Sequence, residues 1–304
     1  MTPNSSPYGS SKPTVALVES RSHYDGVHEA LKLIENHIEV GIKGKKRVFV
    51  KPNFVSTSRQ LAATHVDAVR AVLDTVNKFH SGKIIIGEGP SFSSLRNGLV
   101  NFDYLKLQKS YDVEFVDLNG DGTVEVEAAG AQRSTRFNVS KTVVESDYRI
   151  SVALPKTHDC VIATLTIKNV VVGSLVGGAY SHEKWKIHRG PKDMNLYLAG
   201  LAKAVMPDLG VVDGFQGMEG SGPVSGDPVD LRVAAASVFP VSLDAVMSAV
   251  MGFNPLDIGY LYHLNSWGVG VAELDKVEVV GLPIKKVKRR FEPHPHYREM
   301  LKWK

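Results

Sequence analysis

Two lysines, a histidine and an asparagine interrupt the apolar segment LPKTHDCVIATLTIKNVVVG, which spans residues 154–173. They are Lys156, His158, Lys168 and Asn169. Because a buried charge without a partner is costly, such side chains are usually paired, solvated or functional. If the backbone is extended here, Lys156 and His158 point to the same side of the strand. The segment therefore predicts a site that combines ammonium groups with an imidazole.

Lys168 has three alternative interpretations. If residues 164–173 are helical, Lys168 lies one turn from Thr164 on one face and is flanked by apolar side chains. Removal from water lowers the pKa of a lysine, which then serves as a base or a nucleophile. A lysine that stays charged instead holds a phosphate or a carboxylate. In the third interpretation the stem is buried and the amine reaches water.

Polar side chains also follow other apolar segments, at the points where the predicted strands end. The chain has Lys51-Pro52-Asn53, Gly87-Glu88-Gly89-Pro90 and Asp213-Gly214 at such points. Ligands bind at the carboxyl ends of the strands in an open parallel sheet. The backbone conformations of turns explain Asn, Asp, Gly and Pro at strand ends, but they do not explain a lysine there. The pattern predicts one anion-binding edge of the sheet.

The segment DGFQGMEGSGPVSGDP, residues 213–228, has five glycines and two prolines. It predicts a long loop whose backbone approaches a ligand closely, with an ordinary surface loop as the alternative. Asp213 and Glu219 are its candidate acid–base pair or metal ligands. The predicted catalytic residues are Lys156, His158, Lys168 and Asp213. The predicted substrate- or cofactor-binding residues are Lys51, Asn53, Glu88, Gly89, Asn169, Glu219, Gly220 and Gly222.

Two histidines lie in GSLVGGAYSHEKWKIHRG, residues 173–190, which predicts a loop. His182 and His188 are the candidate metal ligands, although their spacing of six residues fits no standard helical metal pair. Two surface histidines are the alternative. The single cysteine, Cys160, excludes an internal iron–sulfur cluster. It is interpreted as a small core thiol, with a thiolate beside His158 as the alternative.

Apolar strands alternate with amphipathic helices along most of the chain. This alternation predicts an α/β fold, a mostly parallel sheet with helices on both faces. Residues 122–141 have a different pattern, in which apolar and polar side chains alternate along the chain, and this pattern predicts a β-hairpin insertion. We expect a disordered N-terminal arm over 1–13 and an α/β domain over 14–284, with a subdivision near 120–145 as an alternative.

The net charge of +4 comes from the C-terminal segment. Residues 285–304 hold eight Lys/Arg and two Glu, a net of +6, so the remainder carries −2. This basic tail is expected to be a solvated extension or a helix packed through Phe291, Tyr297 and Trp303. Nucleic-acid binding is its less favoured alternative, since no RNA-binding signature accompanies the charge. The single cysteine predicts a reducing, cytoplasmic setting. The polar N-terminus and the lack of a long apolar run predict neither a signal peptide nor a membrane span.

The motifs, taken in order, resemble the domain of unknown function 362 family over most of residues 14–281. They are Lys51-Pro52-Asn53, Thr64-His65, Gly87-Glu88, residues 154–158, Lys168-Asn169, Asp213-Gly214, residues 217–223 and Leu243-Asp244. The resemblance implies the fold and the ligand-binding edge. Many members carry a ferredoxin-like iron–sulfur module, which is absent here. Members also tend to have an aspartate where Phe239 precedes Pro240.

The order His158, Lys168, His182 is also similar to that of the lactate-racemase-like proteins. In those proteins the lysine tethers a nickel-bearing nucleotide cofactor, while the histidines ligate metal or move protons. The resemblance would assign the tether to Lys168, the nickel to His182 or His188, and the proton to His158.

Together these features predict an enzyme that acts on a small anionic substrate or cofactor by Lys/His acid–base chemistry of the isomerase or lyase kind. Metal assistance and a nucleotide-type or metal cofactor are compatible with it. The alternatives are a non-catalytic module that binds an anionic cofactor for a redox protein partner, and a nucleic-acid-associated protein that uses the basic tail.

Overall fold

The computed structural model describes residues 12–91, 93–177 and 182–304, with only the backbone described at His182. Most of the predicted N-terminal arm therefore lies outside the described residues. The strands are β1 (Thr14–Glu19), β2 (Val48–Lys51), β3 (Ile84–Glu88), β4 (Val113–Asp117), β5 (Thr123–Ala129), β6 (Ser134–Ser140), β7 (Tyr148–Ala153), β8 (Lys156–His158), β9 (Ile162–Thr164), β10 (Leu209–Glu219), β11 (Asp227–Ser237) and β12 (Glu278–Gly281).

One large sheet has the strand order β12-β1-β11-β10-β7-β2-β3-β4. The strands from β10 through β7, β2 and β3 to β4 are parallel, whereas β11 runs antiparallel to both β1 and β10. Strands β8 and β9 form a short hairpin that joins β10 where Lys156 pairs with Met218. The predicted α/β class with a mostly parallel sheet is confirmed.

Helices cover both faces of this sheet, as predicted. They are α1 (His23–Leu33), α2 (Glu35–Ile42), α3 (Val66–Val76), α4 (Leu95–Asn101), α5 (Lys141–Val144), α6 (Thr166–Gly173), α7 (His182–Ile187), α8 (Pro191–Val205), α9 (Pro240–Val250), α10 (Gly259–Ser266), α11 (Ile284–Val287) and α12 (Tyr297–Met300). Helices α1 to α4 form one core with the sheet, and α6, α8, α9 and α10 form the other. No helix in the described ranges is long and apolar enough to cross a bilayer.

The two cores exist because successive side chains of a strand point to opposite faces. In β1, Val15 and Leu17 belong to the core of α6 and α8, whereas Ala16 belongs to the core of α1 and α3. The same alternation decides on which side of the sheet each polar side chain at a strand end lies.

The predicted hairpin insertion is confirmed as the separate sheet of β5 and β6, in which Thr123 pairs with Ser140 and Ala129 with Ser134. It packs onto α8, where the Phe137 and Tyr197 rings meet edge to face at 5.2 Å. This contact joins the hairpin to the main body.

The prediction of a long loop over 213–228 is wrong for most of its length. Strand β10 continues to Glu219 and β11 begins at Asp227, so only residues 220–226 form the turn. The glycine at 217 serves packing, since a Cβ atom there would lie 2.8 Å from the Phe291 ring. A distant aromatic residue thus fills the space that the missing side chain leaves. The loop predicted over 173–190 also contains helix α7.

The C-terminal segment packs on the body through its apolar residues. Phe291 and Trp303 are buried, and the Trp303 indole N–H donates to the carbonyl of Asp257 at 2.7 Å. Met300 is also buried, and its sulfur accepts the backbone N–H of Ile162 at 3.0 Å. The lysines and arginines of residues 285–290 remain exposed. This segment therefore contacts the hairpin that carries Lys156 and His158.

Candidate functional site

A cavity of about 490 Å³ lies where β2 and β3 end beside α6 and α7. Strand and helix ends deliver most of the polar groups in its wall, which agrees with the expected ligand edge of such a sheet. These polar residues are Lys51, Asn53, Glu88, Ser91, His158, Asp159, Thr164, Lys168, Asn169, Lys184 and His188.

Lys51 and Glu88 form a buried ion pair at the floor of the cavity. The Lys51 amine lies 2.8 Å from both carboxylate oxygens of Glu88. Glu88 also accepts the backbone N–H groups of Phe54 and Gly89, both at 2.7 Å. Burial lowers the pKa of Lys51, while the Glu88 charge opposes that shift. Helix α6 approaches this pair closely, because a Cβ atom at Gly173 would lie 2.0 Å from the Lys51 stem.

Asn169 joins α6 to the sheet through all its polar atoms. Its carbonyl oxygen accepts from the Lys51 amine at 3.1 Å and from the Asn53 side chain at 3.0 Å. Its amide nitrogen donates to the Lys51 carbonyl at 3.2 Å and to the Ser151 hydroxyl at 3.0 Å. This network fixes the rotation of α6 and hence the direction of Lys168, one residue earlier.

Lys156 lies behind the cavity wall rather than in it. Its fully buried amine donates to the Asn53 side chain at 2.5 Å and to the Ala62 carbonyl at 3.1 Å, with no carboxylate partner among the described residues. Burial lowers the pKa of Lys156 well below its usual range, and the Lys168 charge adds to this effect. Lys156 therefore orients Asn53, while the cavity itself is lined by Lys168.

The Lys168 amine borders the cavity with no hydrogen-bond or ion-pair partner in the described part of the chain. Burial lowers its pKa to about 8. A base whose pKa lies near the working pH is the kind that transfers protons efficiently. Lys168 is therefore the cavity lysine best placed to change its protonation state.

His158 is 3% exposed and faces the same cavity. Its Nδ1 atom lies 3.0 Å from the backbone nitrogen of Cys160 and 2.9 Å from Asp159 Oδ1. In the tautomer that accepts the Cys160 N–H, the proton lies on Nε2. Burial, reinforced by the Lys168 charge, lowers the pKa of the imidazole to about 3. The ring is thus neutral near pH 7.

The sequence reasoning did not single out Lys184 or Asp159, both of which line the cavity. The Lys184 amine donates to the Gly89 carbonyl at 2.6 Å and to Asn119 Oδ1 at 3.1 Å. Burial lowers its pKa to about 8. Lys184 could have been predicted from its spacing to His188, because residues four apart share one face of a helix. His188 Nδ1 lies 2.6 Å from the Lys184 carbonyl, and the His182 side chain lies outside the described residues.

The structure does not bring Asp213 to the cavity. Strand alternation turns Asp213 toward α1, where its carboxylate lies 2.6 Å from His23 Nδ1, whereas Val212 faces the core of α6. The expectation of Asp213 as a cavity residue is therefore wrong.

Glu219, Gly220 and Gly222 also lie outside the described cavity wall, because β10 carries them past it. Glu219 accepts the backbone N–H of Glu292 at 2.8 Å, and the Gly220 carbonyl accepts from Thr157 at 2.9 Å. The same turn reaches the cavity with the apolar residues that follow, Pro223 and Val224.

Asp244 of α9 anchors the helix that carries Lys168. Its carboxylate accepts the Thr166 N–H at 3.0 Å, the Thr166 hydroxyl at 2.5 Å and the Ile167 N–H at 3.0 Å. Leu165, which precedes α6, has no side-chain oxygen that could cap these N–H groups. Burial raises the pKa of Asp244 to about 7 against the effect of these hydrogen bonds.

We expect Asp244→Ala to lower the free energy of unfolding by roughly 3 kcal/mol or more, because three buried donors lose their acceptor. Urea unfolding followed by circular dichroism measures this effect. Asp227→Ala, at an exposed position, is the matched control and should change stability by less than about 0.5 kcal/mol. An Asp244→Ala protein as stable as the control would contradict the anchoring role.

Comparisons with known proteins agree with this architecture. A family model described as domain of unknown function (DUF362) matches residues 48–249. A thylakoid-associated protein of Synechocystis sp. is 30% identical over 254 residues, which cover 81% of this chain and 76% of that protein.

Among solved structures, the lactate racemase apoprotein from Thermoanaerobacterium thermosaccharolyticum aligns with a TM-score of 0.50 at 14% identity. The alignment covers 74% of this chain and 54% of that one, so the chain spans about half the length of that structure. At this identity the likeness concerns the fold alone. Both resemblances drawn from the sequence motifs are confirmed at these levels.

Proposed function

This chain belongs to the DUF362 family, and from that premise we propose that its main cavity binds a small anionic molecule on which Lys168 and His158 carry out proton transfer. The observation that carries this proposal is that the Lys168 amine has no hydrogen-bond or ion-pair partner among the described residues. A buried cation without a partner is costly, and a bound anion removes that cost.

The charge balance of the cavity supports an anionic ligand. Three lysines, Lys51, Lys168 and Lys184, line its described wall, against the carboxylates of Glu88 and Asp159. Glu88 is already engaged with Lys51, and the Asp159 side chain is 47% exposed to water. Lys168 and Lys184 are therefore left to attract a carboxylate or a phosphate.

The pKa values of Lys168 and His158 support different roles for the two residues in proton transfer. The Lys168 amine, with a pKa of about 8, alternates between ammonium and free base near neutral pH. His158, with a pKa of about 3, stays neutral and keeps a donor at Nε2. Pairs of groups whose pKa values are pushed apart by their surroundings are typical of acid–base sites. Removal of a proton from a carbon next to a carboxylate is the first step expected of an isomerase or lyase.

The residues present also fit a lysine-tethered, metal-bearing nucleotide cofactor of the kind implied by the lactate-racemase-like resemblance. Lys168 offers its amine, which borders the cavity, for attachment. His188 has its Nδ1 held by the Lys184 carbonyl, which leaves Nε2 as a metal ligand. Such a group would supply an electron-accepting centre, while His158 would move the proton. A non-catalytic role as a cofactor-binding module for a redox partner is the alternative, and a cytoplasmic location stays a prediction.

The affinity of the cavity for sulfate, whose charge is constant above pH 4, tests the anion site. We expect full affinity below about pH 8, where Lys168 and Lys184 are protonated, because both pKa values are lowered to about 8. Above that pH the affinity should fall roughly tenfold per pH unit for each lysine that must be charged. Isothermal titration between about pH 7 and pH 10 measures it. An affinity that stays constant over this range would contradict the proposal.

A further inference from the structure

The tip of the β8–β9 hairpin gathers three different donor atoms, and the proposed function uses only one of the three residues, His158. His158 pairs with Ile162 across the hairpin, so Asp159 and Cys160 lie in the connecting turn. One ligand-type atom from each of His158, Asp159 and Cys160 lies within 4.8 Å of the other two. In a continuous strand the middle side chain would point away from its neighbours, so the turn is what brings the three atoms together.

The contacts of His158 Nδ1 are in conflict with one another. This atom accepts the Cys160 N–H at 3.0 Å and also lies 2.9 Å from Asp159 Oδ1. A ring nitrogen carries either a proton or a lone pair. If Nδ1 accepts from Cys160, its lone pair faces a carboxylate oxygen that is itself only an acceptor. If Nδ1 instead carries the proton, it donates to Asp159 and the Cys160 N–H loses its acceptor. A positive ion bound by both the imidazole and the carboxylate would pair with the Nδ1 lone pair and with the carboxylate charge.

The separations suit a metal ion. Imidazole nitrogen and carboxylate oxygen bind zinc at about 2.0–2.2 Å and thiolate sulfur at about 2.3 Å, so two ligands of one ion lie roughly 3–4 Å apart. The 2.9 Å between Nδ1 and Oδ1 lies just below that range, and the three donor atoms lie within 4.8 Å of one another. Small side-chain rotations would place all three atoms on one ion.

A second cavity of about 290 Å³ gives this turn a route to solvent. Asp159 and Cys160 line it together with His188, His296 and Glu299. Asp159 and His188 also line the main cavity. The turn therefore forms part of the wall between the two cavities, where an ion could exchange with water and keep an open coordination position.

We propose that His158, Asp159 and Cys160 bind one divalent transition-metal ion of the Zn²⁺ and Co²⁺ class. The mixture of nitrogen, oxygen and sulfur donors favours such ions over Mg²⁺ or Ca²⁺, which prefer oxygen alone. Three protein ligands leave at least one position for water or for a ligand in a cavity, which is the pattern of an open metal site. This site is separate from a cofactor attached to Lys168.

Co²⁺ is the probe, added to the full chain after treatment with EDTA. We expect one equivalent to bind with a thiolate-to-cobalt charge-transfer band, and we expect the bound ion to protect Cys160 from alkylation by iodoacetamide. Cys160 is the one cysteine in the sequence, so this band has one source. Cys160→Ser should abolish the band, and Asp159→Asn and His158→Gln should weaken binding at least about tenfold. His37→Gln, on α2, is the control and should change neither signal.

Co²⁺ binding without the charge-transfer band, or binding that Cys160→Ser and Asp159→Asn leave unaltered, would overturn the proposal. Sulfate titration of the same Cys160→Ser protein reports whether the fold and the anion site are intact. The two measurements separate a failure of the metal site from a failure of the anion site, because sulfate is held by lysines and Co²⁺ by the turn.

Discussion

Replacement of Glu88 by alanine is expected to lower the free energy of unfolding by about 3–5 kcal/mol, the usual cost of leaving a buried charge without its partner. The Lys51 amine lies 2.8 Å from both Glu88 oxygens and is fully buried. Two backbone N–H groups, those of Phe54 and Gly89, lose their acceptor at the same time. Urea unfolding at neutral pH measures the loss.

A double replacement separates the buried charge from the packing. Lys51→Met combined with Glu88→Leu removes both charges and keeps apolar volume, so it should recover much of the stability lost in Glu88→Ala. Glu125→Ala, on the exposed side of the hairpin insertion, is the matched control and should change stability by less than about 0.5 kcal/mol. A Glu88→Ala protein within that range would show that Lys51 does not depend on this carboxylate.

Lys168→Met is expected to weaken sulfate binding roughly 10- to 100-fold while the fold remains intact, because a charge-assisted hydrogen bond contributes about 1.5–3 kcal/mol. Methionine resembles the lysine stem in volume and removes a buried charge, which is often neutral for stability. This combination of lost binding and retained stability distinguishes a functional lysine from one that only fills space.

Isothermal titration gives the sulfate affinity, and urea unfolding gives the stability. Incubation of small 2-hydroxy acids with the protein in D₂O tests the chemical role, since proton transfer by Lys168 would introduce deuterium next to the carboxylate. We expect Lys168→Met to abolish any such exchange. Lys203→Met replaces an exposed lysine and serves as the control. Unchanged sulfate affinity in Lys168→Met would remove Lys168 from the anion site.

Local sequence patterns were sufficient to predict the fold and part of the candidate site. The alternation of apolar strands and amphipathic helices predicted the sheet, and the strand-end argument predicted residues that meet, namely Lys51, Asn53 and Glu88 with His158, Lys168 and Asn169 of the opening segment. These predictions succeeded because parallel strands place their carboxyl ends at one edge whatever the sequence between them.

The predictions that were wrong depended on contacts between residues that lie far apart in the sequence. Asp213 was predicted to lie at the end of a strand, but β10 continues to Glu219 and Asp213 contacts His23 of α1. The direction of a side chain depends on the register of the whole strand. The glycines of residues 214–226 were interpreted as a loop, but the space beside Gly217 is filled by Phe291, which lies far along the chain. Asp244 anchors α6 from a helix more than seventy residues away, and its type alone did not reveal that role.

The contacts of Phe291 and Met300 with the strands of the site have a consequence for biosynthesis. A ribosome makes the segment with Lys156 and His158 well before the residues that cover Gly217 and bond to Ile162. The hairpin therefore lacks its contact with Met300 until translation has passed residue 300. The contacts that hold this hairpin and strand β10 should accordingly be completed only after the C-terminal segment has left the ribosome.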